Sequence, residues 1–428
     1  MKKLFSLAIV ILMTISLVAC TQPSDTTRIE ELEATISEKE ALIDNLLLLL
    51  EDKEVALSDL QDTITALQAE IDALRAELYD GTIIFTVAIN GEQLTQVVHY
   101  NEEDAYTLLD LLMQGFDVEF DDFGWGKFVT RIEGLTTKYG NFISISKNGE
   151  ASMVGIEDLT YEDQDVIHFE LIWWDTTALS IHEAIEGFLD NYIDSYLYDS
   201  LHYYVLPGLY HLGIIDIYDQ TIPETLVEET ANDYVKSILI YQSLGLDVTD
   251  LTEELFDLKS VSHPYPTALQ IIALSANDSL DLDAFKANFI TDLNGRELAE
   301  LDLDTLSLVL LALSLIEDTE TLENDIISII EQLLYMSAYG DNAASFAHVI
   351  MALVSHDIDP KDSAFNDSEG VSLIENFLKF HSGTGSFYYK MDDLEADLYF
   401  STPQAFLALV VYEQYLNTFD EVHPFIFE

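Results

Sequence analysis

The sequence predicts a multidomain protein with an N-terminal coiled coil, a small α+β domain rich in antiparallel strands, and an all-α domain. Three hydrophobic periods predict this order. Residues 29–79 repeat apolar side chains every 3.5 residues, and residues 80–175 alternate with a period of two. Residues 176–428 carry apolar helix cores about 40 residues apart. Residues 1–19 and 20–28 precede these domains as a signal peptide and a tether.

The N-terminus predicts secretion and attachment to a lipid. Lys2 and Lys3 precede an apolar stretch that is short for a membrane-spanning helix, and the stretch ends in Leu17-Val18-Ala19-Cys20. This ending resembles the bacterial lipobox, which implies that Cys20 is lipidated. The lipoprotein is then anchored on the extracellular face of the bacterial cell membrane. An ordinary cleaved signal with a chance cysteine is the alternative.

The coiled coil is predicted from an unbroken heptad repeat. Its a positions are all apolar: Ile29, Ile36, Ile43, Leu50, Leu57, Ile64, Ile71 and Leu78. Isoleucine-rich a positions with leucine at d favour a parallel two-stranded coil, so we expect a homodimer. Lys39 and Lys53 occupy d positions and weaken the seam. A single helix that folds back on a neighbour in the same chain is the alternative.

The composition is strongly acidic. There are 79 Asp and Glu residues against 17 Lys and Arg, for a formal net charge of −62. Such a surface repels nucleic acid, which excludes a nucleic-acid-binding function. Because 49% of the residues are hydrophobic, the chain is not a disordered acidic tail. The acidity fits adaptation to salt or binding of divalent cations such as Ca²⁺.

Two hairpins and one helix are predicted in the α+β domain. Asn90-Gly91 and Asn148-Gly149 each follow alternating apolar residues, and both residue types tolerate the positive φ of a tight hairpin. The helix is expected at residues 104–113. The last strand carries four apolar side chains on one face: Ile167, Phe169, Leu171 and Trp173.

Short glycine-centred motifs in this domain resemble a known family. They are Phe123-Gly124-Trp125-Gly126-Lys127-Phe128-Val129, Ile132-Glu133-Gly134 and Lys147-Asn148-Gly149. They resemble the β-rich domain of unknown function DUF4430, which occurs in bacterial surface proteins and at the C-terminus of transcobalamin and intrinsic factor. The sequence departs from the family pattern at Gln164, where glycine is expected, and at Phe142, near a usual tryptophan.

The all-α domain is predicted from a repeat. Ala-Leu pairs begin at residues 273, 312, 352 and 408, and a glycine-rich loop interrupts the last interval. About six helix pairs in a helical array or toroid are expected. The repeat resembles the α/α toroid of terpene cyclases, protein prenyltransferases and the transcobalamin N-terminal domain. The best match is Gly385-Ser386-Phe387 followed by Thr402-Pro403-Gln404-Ala405. An open superhelix is the alternative.

The residues available for chemistry argue against an enzyme. Cys20 is the sole cysteine, so a prenyltransferase-type zinc site and an intrachain disulfide are excluded. Asp302-Leu303-Asp304-Thr305 lacks the final aspartate of a squalene-type cyclase. His263 and His348 stand alone in sequence, and a structural histidine is the alternative to a metal ligand. No catalytic residue, metal ligand or cofactor is therefore assigned.

An acidic segment offers oxygen ligands for a cation. Its carboxylates are Asp392, Asp393, Glu395 and Asp397. They lack the spacing and the glycine turn of a calcium loop, so a solvated acidic loop is the alternative.

The two domain types resemble the halves of transcobalamin-like carriers in reversed order. The resemblance implies a binding protein that holds a corrinoid (cobalamin-like) or other large flat molecule between the β domain and the toroid. An adhesin or structural surface protein without a small ligand is one alternative. A glycan-cleaving toroid enzyme is another, since two carboxylates suffice for that reaction.

Six side chains are expected to matter most. Cys20 is the lipidation site. Trp125 is the expected ligand contact on the β domain, because the glycines beside it let the backbone approach a ligand. Loops and helix starts ring the mouth of a toroid, which gives the expected contacts on that domain: Phe387, Tyr388, Tyr389 and Gln404. Further aromatic candidates, for which core packing is the alternative, are Tyr203, Tyr204, Tyr399 and Phe400.

Overall fold

A computed structural model describes residues 26–427 of the protein, except 90, 123, 125, 200, 216–228, 262 and 337–341. The predicted signal and Cys20 lie outside the described residues. The chain divides into two compact units. The first comprises Met1–Ile84, Val97–Leu111 and Thr160–Asp165, and the second comprises Phe85–Gln96, Leu112–Leu159 and Val166–Glu428.

The heptad region forms one continuous helix, α1, Thr26–Leu78. No proline or glycine interrupts it, and alanine, leucine and glutamate favour helix. The apolar a and d side chains from Ile36 to Leu78 are between 36% and 68% exposed in the single chain. The helix agrees with the predicted heptad repeat, and its partner stays a prediction.

The region after the long helix is rich in β-strands, as predicted. One sheet has the strand order β2-β1-β8-β6-β7 and the other β3-β4-β5. The strands are β1 Gly81–Ile89, β2 Glu92–Tyr100, β3 Val118–Asp122, β4 Lys127–Ile132, β5 Leu135–Thr136, β6 Asn141–Lys147, β7 Glu150–Ala151 and β8 Val166–Trp173. Strands β6 and β8 pair antiparallel, and Ile143, Ile167 and Phe169 are buried there.

The helix of this region, α2, is Leu108–Gly115 rather than residues 104–113. Thr107 sets its start, because the Asp110 N–H donates to Thr107 Oγ1 at 3.1 Å while the Asp110 carboxylate accepts from the Thr107 backbone. This reciprocal pair satisfies N–H groups that a helix start leaves open. Residues Glu102–Asp104 form a separate 3₁₀ turn that ends at Ala105 with φ 50°.

Eleven α-helices follow among the described residues, as expected from the apolar repeats. Six of them contact one another and are called the inner helices: α4 Val205–His211, α5 Ala231–Ser243, α7 Pro264–Leu274, α9 Leu303–Leu313, α11 Ala343–Val354 and α13 Ser401–Thr418. The other five are called the outer helices: α3 Thr176–Asn191, α6 Thr249–Leu258, α8 Asp283–Asn294, α10 Glu320–Tyr335 and α12 Leu373–Leu378.

The inner helices contact one another in a cyclic order. Helix α4 contacts α5, α5 contacts α7, and the contacts continue through α9, α11 and α13 back to α4. The sequence explains this arrangement, since every residue of α11 is buried whereas α10 exposes one face. A helix that is apolar all round is stable only when other elements surround it.

The two ends of the inner helices are covered by different segments. At the C-terminal ends, the Val422 N–H donates to Val354 O at 3.3 Å, and His211 Nε2 lies 3.2 Å from Pro424 O. The last residues of the chain therefore pack over this end. At the N-terminal ends, polar and aromatic side chains from several inner helices meet.

Candidate functional site

The starts of the inner helices carry a group of polar and aromatic residues, which we call the helix-start cluster: Tyr203, Tyr204, Lys236, Tyr265, Asp304 and His348. Side chains cap these helices and fix where they begin. Asp302 accepts from the Thr305 N–H at 2.8 Å, and Asn342 accepts from the Ser345 N–H at 2.8 Å. Each cap places the cluster residue in the first turns of its helix.

A hydrogen-bonded chain joins three members of the cluster. Tyr204 Oη lies 2.8 Å from His348 Nε2, and His348 Nδ1 lies 3.2 Å from Asp304 Oδ1. Tyr204 and His348 are buried, whereas the Asp304 side chain is 39% exposed. An ionised carboxylate only accepts, so His348 donates to Asp304 from Nδ1, and the other ring nitrogen lies within hydrogen-bond distance of the Tyr204 hydroxyl. This series of hydrogen bonds links the buried Tyr204 to the Asp304 carboxylate, which solvent reaches.

Local electrostatics keep this carboxylate charged. Burial raises the pKa of Asp304, but hydrogen bonds from His348 and Ser345 outweigh it, so the pKa lies below its ordinary value. Burial lowers the pKa of the neighbouring His202 to about 4, so that imidazole is neutral at neutral pH. Burial also raises the pKa of Tyr265, which stays a phenol. The cluster thus offers an anionic acceptor beside neutral donors.

Lys236 adds the cation of the cluster. Its Nζ lies 5.5 Å from the centre of the Tyr203 ring, a cation–π distance. The Tyr203 ring also stacks on His202, with 5.1 Å between centroids, and lies 4.6 Å from Tyr204. These contacts hold Lys236 and Tyr203 next to the hydrogen-bonded chain.

Residues 387–402, which we call the rim loop, border the cluster. The Ala343 N–H donates to Tyr389 O at 3.1 Å, and the Asp397 N–H donates to Phe387 O at 2.8 Å. The Tyr196 hydroxyl donates to Leu398 O, and His202 bonds the backbone of Tyr399. These contacts tie the loop to the starts of α11 and α4.

The rim loop exposes large apolar side chains although its backbone is bonded. They are Tyr389, Met391, Leu394, Leu398, Tyr399 and Phe400. Tyr399 is 81% exposed while the Asp397 carboxylate accepts from the Tyr399 N–H at 3.0 Å. Aromatic side chains on a fixed backbone lose little conformational entropy when a ligand binds. The rim loop is therefore suited to contact a ligand.

The structure places the predicted contacts in two groups. Tyr388 is partly exposed and Tyr389 is exposed, so both are accessible in the rim loop. Phe387 is buried and stacks on Phe377 with 5.1 Å between centroids. Gln404 is also buried, and its Oε1 has no hydrogen-bond partner among the described residues. Trp125 lies outside the described residues.

The link between Asp304 and His348 was missed from the sequence. In the sequence, Asp302-Leu303-Asp304-Thr305 is an incomplete cyclase motif, and His348 is a histidine that stands alone. Both lie in the first two turns of consecutive inner helices, α9 and α11. Their location near the starts of neighbouring inner helices is the signal that could have paired them, since the starts of helices in adjacent repeats lie side by side.

Metal binding finds no support in the described part of the chain. No three His, Cys, Asp or Glu side chains there are arranged to hold an ion. His263 caps α7, with Nδ1 3.3 Å from the Tyr265 N–H. Asp393 accepts from the Lys390 N–H, and Asp397 accepts from the Ser401 N–H, so two acids of segment 392–397 stabilise turns.

A second group of contacts joins the loop between β5 and β6, and helix α3, to α13. Lys138 Nζ lies 2.9 Å from Glu413 Oε2, and His182 Nδ1 lies 3.3 Å from Glu413 Oε1. The Tyr139 N–H donates to Asn417 Oδ1 at 2.6 Å. Glu413 follows Gln404 by nine residues, about 14 Å along the helix axis. These contacts, which we call the joint, therefore lie away from the helix-start cluster.

Comparison with known proteins gives a family match for the β-rich region. No curated protein matches the chain. Among the described residues, no helix is both long enough and apolar enough to span a membrane. A protein-family model described as "Domain of unknown function (DUF4430)" matches residues 105–172, which confirms that part of the resemblance and shows that the β-rich region carries a DUF4430 domain.

Proposed function

We propose that the protein is a lipoprotein, anchored through Cys20 on the extracellular face of the cell membrane, that binds an extracellular ligand at its helix-start cluster. The helical region is an α/α toroid in this proposal. The cyclic order of contacts among the inner helices supports that architecture over an open superhelix, whose terminal repeats would not touch. The ligand class is a corrinoid or another large flat molecule.

One observation carries the binding proposal. A loop with a hydrogen-bonded backbone exposes Tyr389, Tyr399 and Phe400 beside a cluster that contains one cation and one ionised carboxylate. Exposed apolar side chains that border buried polar groups are typical of binding sites. Aromatic faces stack on flat ring systems, and each such contact is worth about 0.5–1.5 kcal/mol beyond the area that it buries.

The polar part of the cluster fits the edge of a corrinoid. The macrocycle of a corrinoid is flat, and amide side chains surround it. Asp304 can accept from an amide N–H, and Lys236 can donate to an amide carbonyl. Tyr203 and Tyr265 keep their hydroxyl protons, because burial raises the pKa of both. The cluster therefore offers donors and an acceptor to one ligand.

The contribution of the β-rich domain stays a prediction. Trp125 is the expected contact on that side. The described contacts between the loop before β6 and α13 belong to the joint, about 14–20 Å along the helix from Gln404. The proposal therefore places the main ligand contacts on the helical region and keeps Trp125 as a further contact from the β-rich domain.

The test is a titration of the soluble protein without its lipid anchor. Cyanocobalamin and aquocobalamin are added up to millimolar concentration while heat and the visible absorption spectrum are recorded. We expect saturable binding that Tyr389→Ala, Tyr399→Ala and Trp125→Ala each weaken with little change in melting temperature. Tyr106→Ala, at an exposed tyrosine remote in sequence from the cluster, is the matched control and should bind normally.

A second candidate function is adhesion. Near the joint, the partly buried Tyr139 is accompanied by four exposed apolar side chains, and together they form a patch: Phe142, Ile172, Trp174 and Phe419. The Tyr139 ring lies 5.5 Å from Trp174 and 6.0 Å from Phe419, and Phe142 pairs with Ile172 across the strands. Such patches mark interaction surfaces. Absence of heat and of spectral change with both corrinoids would reject the carrier and favour the adhesin.

The lipid anchor is tested separately. Cys20→Ser removes the thiol that accepts the acyl chain, so the protein should be released or remain unprocessed. Fractionation of cells and mass spectrometry of the N-terminus measure this. If the variant stays in the membrane with an acylated mature N-terminus, the anchor proposal is rejected.

A further inference from the structure

The middle of helix α1 carries more apolar surface than a two-stranded coil can cover. Residues 46–50 are five consecutive leucines. In the register that begins at Ile29, Leu46 and Leu50 occupy d and a positions. Leu48, and Val55 one heptad later, occupy f positions, and they are 62% and 57% exposed. Two large apolar residues thus lie on the face opposite the seam.

Formation of the dimer leaves this face uncovered. In a parallel two-stranded coil the a and d side chains pack against the partner, whereas f side chains point away from it. Leu42 at g and Leu47 at e are covered better, since Leu42 meets the partner's Leu47 across the seam. Leu48 and Val55 have no such contact across the seam. They therefore stay accessible to another partner after the dimer forms.

The apolar character of the f face is confined to this segment. The other f positions between residues 34 and 69 are small or charged: Ala34, Ala41, Asp62 and Ala69. We call Leu48 and Val55 together the leucine–valine belt. A side chain at f is free to be polar unless something packs on it, so the belt is a local contact surface.

We propose that stalk dimers associate side by side in the membrane, with the belt of one dimer packed on the belt of another copy. The proposal rests on the dimer and the lipid anchor, and it does not depend on the ligand. Anchors in one membrane hold all stalks parallel at the same height, so Leu48 faces Leu48 and Val55 faces Val55. Confinement to the membrane also raises the effective concentration of stalks.

Each dimer presents two belts, one on each helix, so the association is open-ended and gives rows rather than a closed particle. Charge limits the length of the rows. Acidic residues at b and c positions flank the belt: Asp44, Glu51, Asp52 and Asp59. Like charges on neighbouring dimers repel, and salt screens that repulsion. Association through the belt should therefore increase with ionic strength.

The experiment uses cysteine crosslinking of the full lipidated protein in its membrane. Cys20 is the sole native cysteine and is acylated in this proposal, so introduced thiols report alone. Leu67→Cys at a d position links the two helices within a dimer, and Asp62→Cys at f links neighbouring dimers. The double variant should give a ladder of dimers, tetramers and larger species on a non-reducing gel. Leu67→Cys alone should stop at dimers.

The belt is then changed in the double-cysteine background. Leu48→Gln with Val55→Gln should reduce the species above the dimer at least tenfold. Ala34→Gln with Ala69→Gln makes the same change at f positions outside the belt and should keep the ladder. The proposal is overturned if the double-cysteine protein with an unchanged belt gives dimers and no larger species. It is also overturned if the belt variant gives the same ladder, or if crosslinks form only to other proteins. Absence of the Leu67→Cys dimer would overturn the two-stranded stalk as well.

Discussion

At the residue scale, Glu413 shows how an acid-rich chain uses a buried carboxylate. Lys138 and His182 both contact it in the joint. Burial raises the pKa of Glu413, but these two partners outweigh it and hold the pKa below its ordinary value. The stabilisation is therefore present above the ordinary glutamate pKa of about 4.3 and is lost as pH falls through the lower pKa of the folded state.

We predict that Glu413→Gln lowers the free energy of unfolding by about 2 kcal/mol at neutral pH, because a charge-assisted hydrogen bond is lost. Below the folded-state pKa the wild type also loses the charge, so the difference should shrink. Urea unfolding at pH 7 and in acid measures both values. Glu186→Gln, at an exposed position, is the control and should change little at either pH.

Gly385 is a second residue whose neighbours fix its identity. Its φ is +92°, and a Cβ there would overlap the backbone of Gly187 and Phe188 in α3. Gly383 has a similar φ of +87°, but a Cβ there meets nothing within 4 Å. The two glycines lie in one loop. A comparison of alanine substitutions at the two positions therefore separates the free-energy cost of the backbone conformation from that of a steric clash.

We predict that Gly383→Ala costs about 1–2 kcal/mol, the penalty of the left-handed conformation. Gly385→Ala should cost roughly 4 kcal/mol or more, because the loop must also move away from α3. Thermal and chemical unfolding of the two variants gives the comparison. Equal losses of stability would show that the loop moves freely and would contradict the close approach of Gly187 and Gly385.

At the element scale, α1 differs from the inner helices because its apolar side chains are not covered by the described part of its own chain. The side chains of α11 are all buried, whereas the heptad side chains of α1 are exposed in the single chain. Isolated helices gain little stability from propensity alone, and most of it comes from packing of the apolar face. A second copy of α1 supplies that packing in the parallel coil that we propose.

We predict that a peptide of residues 29–78 is helical and dimeric. Lys39→Leu with Lys53→Leu should strengthen the dimer by about 3 kcal/mol or more, because each change buries a leucine and removes a charge from the seam. Sedimentation equilibrium and circular dichroism measure both properties. Glu38→Leu with Asp52→Leu adds leucines at c positions and should not strengthen the seam. A monomer at every accessible concentration would contradict the dimer.

At the scale of the whole molecule, net charge is the dominant electrostatic property. A formal charge of −62 on 428 residues makes the carboxylates repel one another in the folded state. Several acids are stabilised locally because they cap helices. Asp302 and Asp175 are examples, and their side chains accept hydrogen bonds from backbone N–H groups. The 79 acidic residues outnumber the 17 Lys and Arg by more than four to one, so repulsion between carboxylates dominates.

We predict that the melting temperature rises as NaCl increases from 0.1 M to 1 M, because the Debye length falls from about 10 Å to about 3 Å. Calcium should raise it at much lower concentration if a specific site exists. Calorimetry at neutral pH measures both effects. The response to NaCl should be smaller in acid, where the carboxylates are neutral, and no response at neutral pH would contradict the role of repulsion.

The sequence predictions that the structure confirms are those based on local periodicity. The hairpin turn at Asn148-Gly149 and the buried Ile167 and Phe169 follow from residues close in sequence. The start of α2 was wrong by four residues, because the reciprocal bonds of Thr107 and Asp110 were not recognised. In the candidate site, Tyr389 is expected as a ligand contact and is exposed, and its role stays a prediction. The sequence did not combine Tyr203, Lys236 and Tyr265 into one cluster.

The sequence by itself determined that strands precede a series of apolar helices, because periods of two and of three to four residues are set by local backbone geometry. Only the tertiary structure decided that Asp304 meets His348, and that His348 meets Tyr204 144 positions away in the chain. The tertiary structure also decided that Phe387 and Gln404 are buried and that Tyr399 is exposed. Burial and contact depend on how all the inner helices pack together, and no local pattern contains that information.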